Sequence, residues 1–167
     1  MTILPALLLC AFSMLAPVSE ADPEPVRISQ FSGKEVPRFE SLRYDAVHGR
    51  SGPSTNHSII WRYERKGLPM LIIKETDNWR RVRDPSGDEV WIQADKLSSQ
   101  REVLVTREAD LRRKPDTGSQ ARARLEPGVL GELEGCEKGW CEIKVERTSG
   151  WVEAGSLWGV IEETGGL

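Results

Sequence analysis

Asn78-Trp79-Arg80-Arg81-Val82, with Trp91-Ile92 following at a Trp-to-Trp interval of twelve, is written a second time further along the chain. The copy is Gly139-Trp140-Cys141-Glu142-Ile143, with Trp151-Val152 at an interval of eleven. Working outward, Leu97 follows Trp91 by six residues, as Leu157 follows Trp151. Upstream, Gly67-Leu68 stands before Trp79 much as Gly128-Val129 stands before Trp140, and Arg50 and Pro53 match Arg112 and Pro115. The offset between copies stays at 60 to 62 throughout. A fixed offset carried through many landmarks in one order is the mark of a duplicated structural unit.

Each unit is built for short strands. In the first, Leu68 to Lys74 is an apolar run whose Pro69 suits an edge or a strand start. Trp79 to Arg83 alternates, Asp84-Pro85-Ser86-Gly87-Asp88 is turn chemistry, and Glu89 to Ile92 is the next strand. In the second, Val129 to Glu134 and Trp140 to Val145 flank the Glu137-Lys138-Gly139 turn, and Trp151-Val152 follows. No stretch carries apolar residues at helical spacing over three turns. The expectation is all-β: two tandem small barrels of about five strands each, over 36–99 and 100–161, with a linker at 22–35 and a tail at 162–167.

Composition agrees. Fifteen Gly, ten Pro and six Trp favour turns and strands, and 38% hydrophobic with 29% charged residues describes a globular chain. The 23 Lys and Arg against 26 Asp and Glu show no basic excess of the kind that phosphate neutralisation demands, so nucleic acid is not an expected partner. At the start, Ile3 to Ala16 is apolar or small and too short for the roughly 20 residues of a membrane span. With Pro17 ending the run and Ser19-Glu20-Ala21 placing small residues for a peptidase, it is expected to be a signal peptide cleaved after Ala21. Leu9 before Cys10 speaks against a lipoprotein signal. The chain is therefore expected in the periplasm or secreted, with no membrane span once the signal is gone. Removing the signal also removes Cys10 and leaves Cys136 and Cys141, an even pair that in an exported protein reads as a disulfide. The rival, a zinc site, lacks a second ligand pair.

These units resemble bacterial SH3-like domains, in the exported tandem form common in proteobacteria, over roughly Val36 to Val160. Val47-His48-Gly49-Arg50-Ser51-Gly52-Pro53 resembles the family's Asn-Leu-Arg-x-Gly-Pro signature. Arg65-Lys66-Gly67-Leu68-Pro69 and Asn78-Trp79-Arg80-Arg81-Val82-Arg83-Asp84 look like its central strands, and Leu157-Trp158-Gly159-Val160 like its closing segment. Two positions depart: Gly49 stands where the family has a core Leu, and His48 where it has Asn. Leu111 keeps the apolar residue in the second copy, where Lys114 replaces a signature Gly. Gly49, and a disulfide confined to the second unit, predict a first barrel that is underpacked and locally less stable. The resemblance implies a non-catalytic binding module of the cell envelope, for peptidoglycan or a peptide. The alternative is a structural protein that holds a periplasmic partner.

Candidate chemistry is thin. No P-loop and no Gly-rich dinucleotide turn is present, so no cofactor is expected. The two His, His48 and His57, bracket a polar loop of the first unit, far in sequence from both remaining cysteines, so neither a nucleophilic enzyme nor a metal centre is expected. Aromatics are the better candidates. Tyr44, Trp61 and Tyr63 flank the first unit's long loop, where SH3 domains line a peptide groove with aromatic rings. Trp79 and Trp140 follow turns and stand between core and ligand groove, whereas Trp91 and Trp151 read as core. The basic runs Arg80-Arg81-Val82-Arg83 and Arg112-Arg113-Lys114 read as solvated sheet faces, with attraction to an anionic polymer as the functional rival.

Overall fold

The computed structural model describes residues 25–161; the signal peptide, its cleavage after Ala21 and the 162–167 tail lie outside the described residues. A short hairpin comes first, β1 (Arg27–Ile28) with β2 (Glu35–Val36). The first barrel comprises β3 (Arg38–Leu42), β4 (Val47–Arg50), β5 (Ile59–Tyr63), β6 (Pro69–Glu75), β7 (Trp79–Arg83), β8 (Glu89–Gln93) and β9 (Leu97–Ser98). The second comprises β10 (Glu102–Val105), β11 (Ala109–Arg112), β12 (Ala121–Leu125), β13 (Leu130–Glu137), β14 (Trp140–Val145), β15 (Thr148–Glu153) and β16 (Leu157–Trp158). Each barrel is one seven-stranded sheet, ordered β5-β4-β8-β7-β6-β3-β9 and β12-β11-β15-β14-β13-β10-β16. The all-β expectation holds. Seven strands stand where about five, joined by hairpins and one longer loop, were expected; β9 and β16 are closing strands of two residues each.

The duplication extends to irregularities. The register shifts at Gly49/Arg50 and at Leu111/Arg112, and again at Ile72/Lys74 and at Leu133/Gly135. Gly67 and Gly128, at φ 81° and 93°, turn the chain in equivalent places and donate their amides to the Leu42 and Val105 carbonyls. Only glycine takes that left-handed backbone without cost. The cores are Leu42, Met70, Ile72, Val82, Val90, Ile92 and Leu97 in one barrel, and Val103, Val105, Leu111, Leu133, Ile143, Val152 and Leu157 in the other. Trp91 and Trp151, expected in the core, are only half-buried; strand alternation turns them to the face opposite Val90, Ile92 and Val152.

The first barrel is not underpacked. A Cβ on Gly49 would lie 2.8 Å from Val90 Cγ2 and 3.1 Å from Tyr63 Cε2, so those side chains already occupy the space. The second barrel reverses the sizes. Its position equivalent to Val90 is Gly150, where a Cβ would lie 2.8 Å from Leu111 Cγ. The interior volume is conserved while the large residue moves from β8 to β11, the kind of compensated swap that cores tolerate. The expected weakness at Gly49 is thereby corrected.

A second pair of equivalent positions answers the disulfide. Cys136 on β13 and Cys141 on β14 are register partners and are bridged, with Cα atoms 4.0 Å apart. In the first barrel the same partners are Glu75 and Arg80, joined by an ion pair at 2.9 Å. Arg80, expected on a solvated face, is buried there. Glu75 also takes Arg38 Nη2 at 2.6 Å and Ser32 Oγ at 2.6 Å. Ser32 belongs to the hairpin, and Arg27 on β1 donates to the Ile73 carbonyl at 2.8 Å. Residues 27–36, most of them within the expected linker, are thus folded onto the first barrel around a buried carboxylate. Burial raises the Glu75 pKa, but hydrogen bonds from Ser29, Ser32 and Arg38 outweigh it and hold the carboxyl below its ordinary range.

The barrels pack on one another. Trp158 Nε1 donates to the Pro69 carbonyl at 2.9 Å, and its ring meets Phe39 edge to face at 5.1 Å. The Glu102 amide donates to Ser41 Oγ at 3.2 Å, and the Arg65 guanidinium donates to the Gly128 carbonyl. Trp158, read from sequence as part of a closing strand, is also the clamp between barrels.

Candidate functional site

Each barrel carries a groove at the same place. In the first it is lined by Val47, His48, Arg50, Trp79, Gln93 and Lys96, with a volume of about 100 Å³. In the second it is lined by Ala109, Asp110, Arg112, Trp140, Glu153 and Ser156, with Arg107 and Glu108 at the rim, and measures about 290 Å³. Position by position these are one site drawn twice: strand β4 or β11, the Trp that opens β7 or β14, and the end of β8 or β15. The Trp opens its strand directly after the hairpin turn. Trp79 is 9% exposed and Trp140 half-buried, so each offers part of a ring to the groove.

The signature arginine organises the long loop. Arg50 Nη1 donates to the carbonyls of Thr55 at 3.0 Å and His57 at 2.7 Å. Arg112 Nη1 donates to the Ser119 carbonyl at 2.7 Å, and its Nη2 to Asp110 Oδ2 at 2.8 Å. Both loops are pinned to their strand by a guanidinium that also faces the groove.

The expected aromatic cluster is dispersed. Trp79 and Trp140 line the two grooves. Tyr44 is exposed beside the first groove, with Lys96 Nζ 5.4 Å from its ring centre. Trp61 lies on the outer edge strand β5 with Ile59 and Ile60, all about half exposed. Tyr63 leaves the site altogether. Its ring packs on the first core and against Gly49, and its hydroxyl donates to Asp84 Oδ2 at 3.0 Å. Burial first, then that hydrogen bond to the carboxylate, push the phenol pKa upward. The sequence reading missed Arg50, Gln93 and Lys96 as groove residues. The equivalence of Arg50 with Arg112 was the signal that could have found the first of them.

The basic runs are largely neutralised. Arg81 and Arg83 both pair with Glu89, at 2.8 and 2.6 Å, and Arg124 pairs with Glu108. Among the described residues no group of three His, Cys, Asp or Glu could hold a metal ion, and no helix is long and apolar enough to cross a membrane.

The profile of the bacterial SH3 domain matches residues 44–99 and again residues 105–159. The chain belongs to the bacterial SH3 domain family. The two matches are the two barrels, in tandem as the duplicated sequence required. Among curated proteins, the chain is 25% identical over 122 residues to a putative N-acetylmuramoyl-L-alanine amidase, YrvJ, of Bacillus subtilis (strain 168). The aligned part covers 66% of this chain and 23% of that protein, so this bacterial SH3 protein spans about a quarter of the relative's length. Among solved structures, NlpC2 and NlpC1 from Trichomonas vaginalis align over 78% and 84% of the chain and 51% of each of theirs, at 14% identity and a TM-score of 0.37.

Proposed function

We propose that this tandem bacterial SH3 protein is a non-catalytic binding module of the cell envelope, outside the cytoplasm, that engages peptidoglycan through its two grooves. The observation that carries the reading is the duplication of the groove itself: an aromatic floor and a loop-pinning arginine recur at equivalent positions in both barrels. Family membership supports it, as does the similarity to a putative N-acetylmuramoyl-L-alanine amidase. Two weak sites held in one fixed pair of barrels act together, since the second contact is made at high effective concentration. The test is co-sedimentation with purified sacculi. Trp79→Ala and Trp140→Ala should each lower retention, and the double variant should lose more than either. Unchanged retention in the double variant would refute the grooves as the binding site.

A second reading rests on β5. Ile59, Ile60 and Trp61 form an exposed apolar edge strand, whereas the equivalent edge β12 carries Arg122 and Arg124. Charged edges resist strand addition and apolar ones invite it. This favours a partner protein docked at β5. Ile60→Lys should abolish capture of such a partner and leave sacculus binding unchanged.

A further inference from the structure

The two grooves descend from one unit, so each serves as a control for the other. In the second groove both terminal nitrogens of the arginine are engaged: Arg112 Nη1 holds the loop and Nη2 holds Asp110 at 2.8 Å. In the first groove Arg50 spends Nη1 alone on the loop, with both of its hydrogen bonds made there. Its Nη2 and Nε have no partner among the described residues. The cause is visible in the sequence. The place of Asp110 is taken by His48, which is exposed.

The replacement is systematic. Glu108, Asp110 and Glu153 of the second groove correspond to Ala46, His48 and Gln93 of the first, and Ser156 corresponds to Lys96. Every acidic lining residue is gone, while the Lys and Arg number two in each groove, Arg50 and Lys96 in the first against Arg107 and Arg112 in the second. Lys96 has one counter-ion, the exposed Asp95 beside it at 2.9 Å, and such a surface pair contributes little. A half-buried guanidinium with an open edge binds a carboxylate more strongly than it binds water, because both partners are charged and the planar geometries match.

We propose that the first groove binds a free carboxylate of its ligand, the C-terminus of a short peptide, on the open edge of Arg50 between Trp79 and Lys96. The second groove cannot do the same, because Asp110 already occupies that edge of Arg112. The volume of about 100 Å³ suits a carboxylate with one small side chain and lies well below the roughly 300 Å³ where small-molecule pockets begin. The inference deepens the binding-module reading and rests on it for the source of the peptide.

The test is an amide-resolved NMR titration of the two-barrel protein with three probes: acetyl-Ala-Ala with a free carboxylate, the same dipeptide as its C-terminal amide, and N-acetylmuramic acid as a sugar-borne carboxylate. The dipeptide acid should shift the Trp79 indole and the amides of His48 and Gln93, leave Trp140 unmoved, and bind at least about tenfold more tightly than the amide. His48→Asp and Gln93→Glu each import an acid of the second groove at an accessible position. Both should keep the parent's amide dispersion and lose the dipeptide acid. Equal binding of acid and amide, shifts confined to other surfaces, undiminished binding by His48→Asp, or preference for the sugar acid would overturn the proposal. A parallel sacculus pull-down separates this from the envelope reading. Binding of the dipeptide acid without sacculus retention keeps the carboxylate site and removes the wall as its source. Sacculus retention that depends on Trp79 and Trp140, without selectivity for the acid, does the reverse.

Discussion

Gly49→Leu asks whether the first core is full. The introduced Cβ would meet Val90 Cγ2 at 2.8 Å, Val90 Cβ at 3.0 Å and Tyr63 Cε2 at 3.1 Å, all inside the ordinary carbon contact of about 3.5–4.0 Å. Overpacking of this kind costs about 1–3 kcal/mol, and removing a strand glycine returns about 0.5–1 kcal/mol. The net expectation is a loss of roughly 0–2.5 kcal/mol. Val90→Gly removes a side chain that is 1% exposed. It should cost about 2–4 kcal/mol, from lost burial and from the glycine placed in a strand. Were the two changes independent, the double variant would lose their sum. In the second barrel Leu111 lies over Gly150 at a Cβ distance of 2.8 Å, the reverse of this arrangement. The double variant should therefore recover at least about 1 kcal/mol of the sum, and Tyr63→Leu added to it, matching Leu125, should recover more. Urea unfolding followed by tryptophan fluorescence gives the cycle. A Gly49→Leu protein more stable than the parent, or an additive double variant, would refute the claim that the cores are compensated copies.

Four further outcomes are expected. Glu75→Gln leaves Arg38 and Arg80 without their shared counter-ion and should cost about 3 kcal/mol, read by denaturation, with Ser29 and Gly33 amides losing exchange protection. The Glu75 pKa is held below its unfolded value, so its contribution is complete above the ordinary glutamate range and is lost as pH falls through the lower, folded pKa. Hairpin protection followed against pH should persist at pH 5 and fail only in stronger acid; failure near pH 5 would contradict the depressed carboxyl. Replacing Cys136 and Cys141 together by Ser should cost about 2 kcal/mol, because the closed loop is short, and exchange should accelerate in β13 and β14 but not in β6 and β7. Trp158→Ala removes the hydrogen bond to Pro69 and the Phe39 contact, and should cost about 2 kcal/mol while ¹⁵N relaxation shows the barrels tumbling independently. Unchanged common tumbling would assign the clamp elsewhere.

The sequence by itself determined the duplication, the all-β class, the bridged cysteines and the family. Those follow from periodic landmarks and turn chemistry, which are local and survive translation into one dimension. Trp79 and Trp140 were legible as groove candidates for the same reason, since each opens a strand after a turn. What sits across the sheet was not legible. Gly49 looked like a missing core residue because Val90 and Tyr63, which fill its space, are distant in the chain and come from β8 and β5. Arg80 looked solvated because the carboxylate that buries it is its register partner on β6, approached from outside by a hairpin that reads as linker. Tyr63 looked like a ligand residue until Asp84 claimed its hydroxyl and the core its ring. Trp158 looked like an ordinary closing residue, though its ring spans two barrels. Side-chain volume and charge are conserved across contacts rather than along the chain, so only the tertiary structure decides which neighbour supplies them.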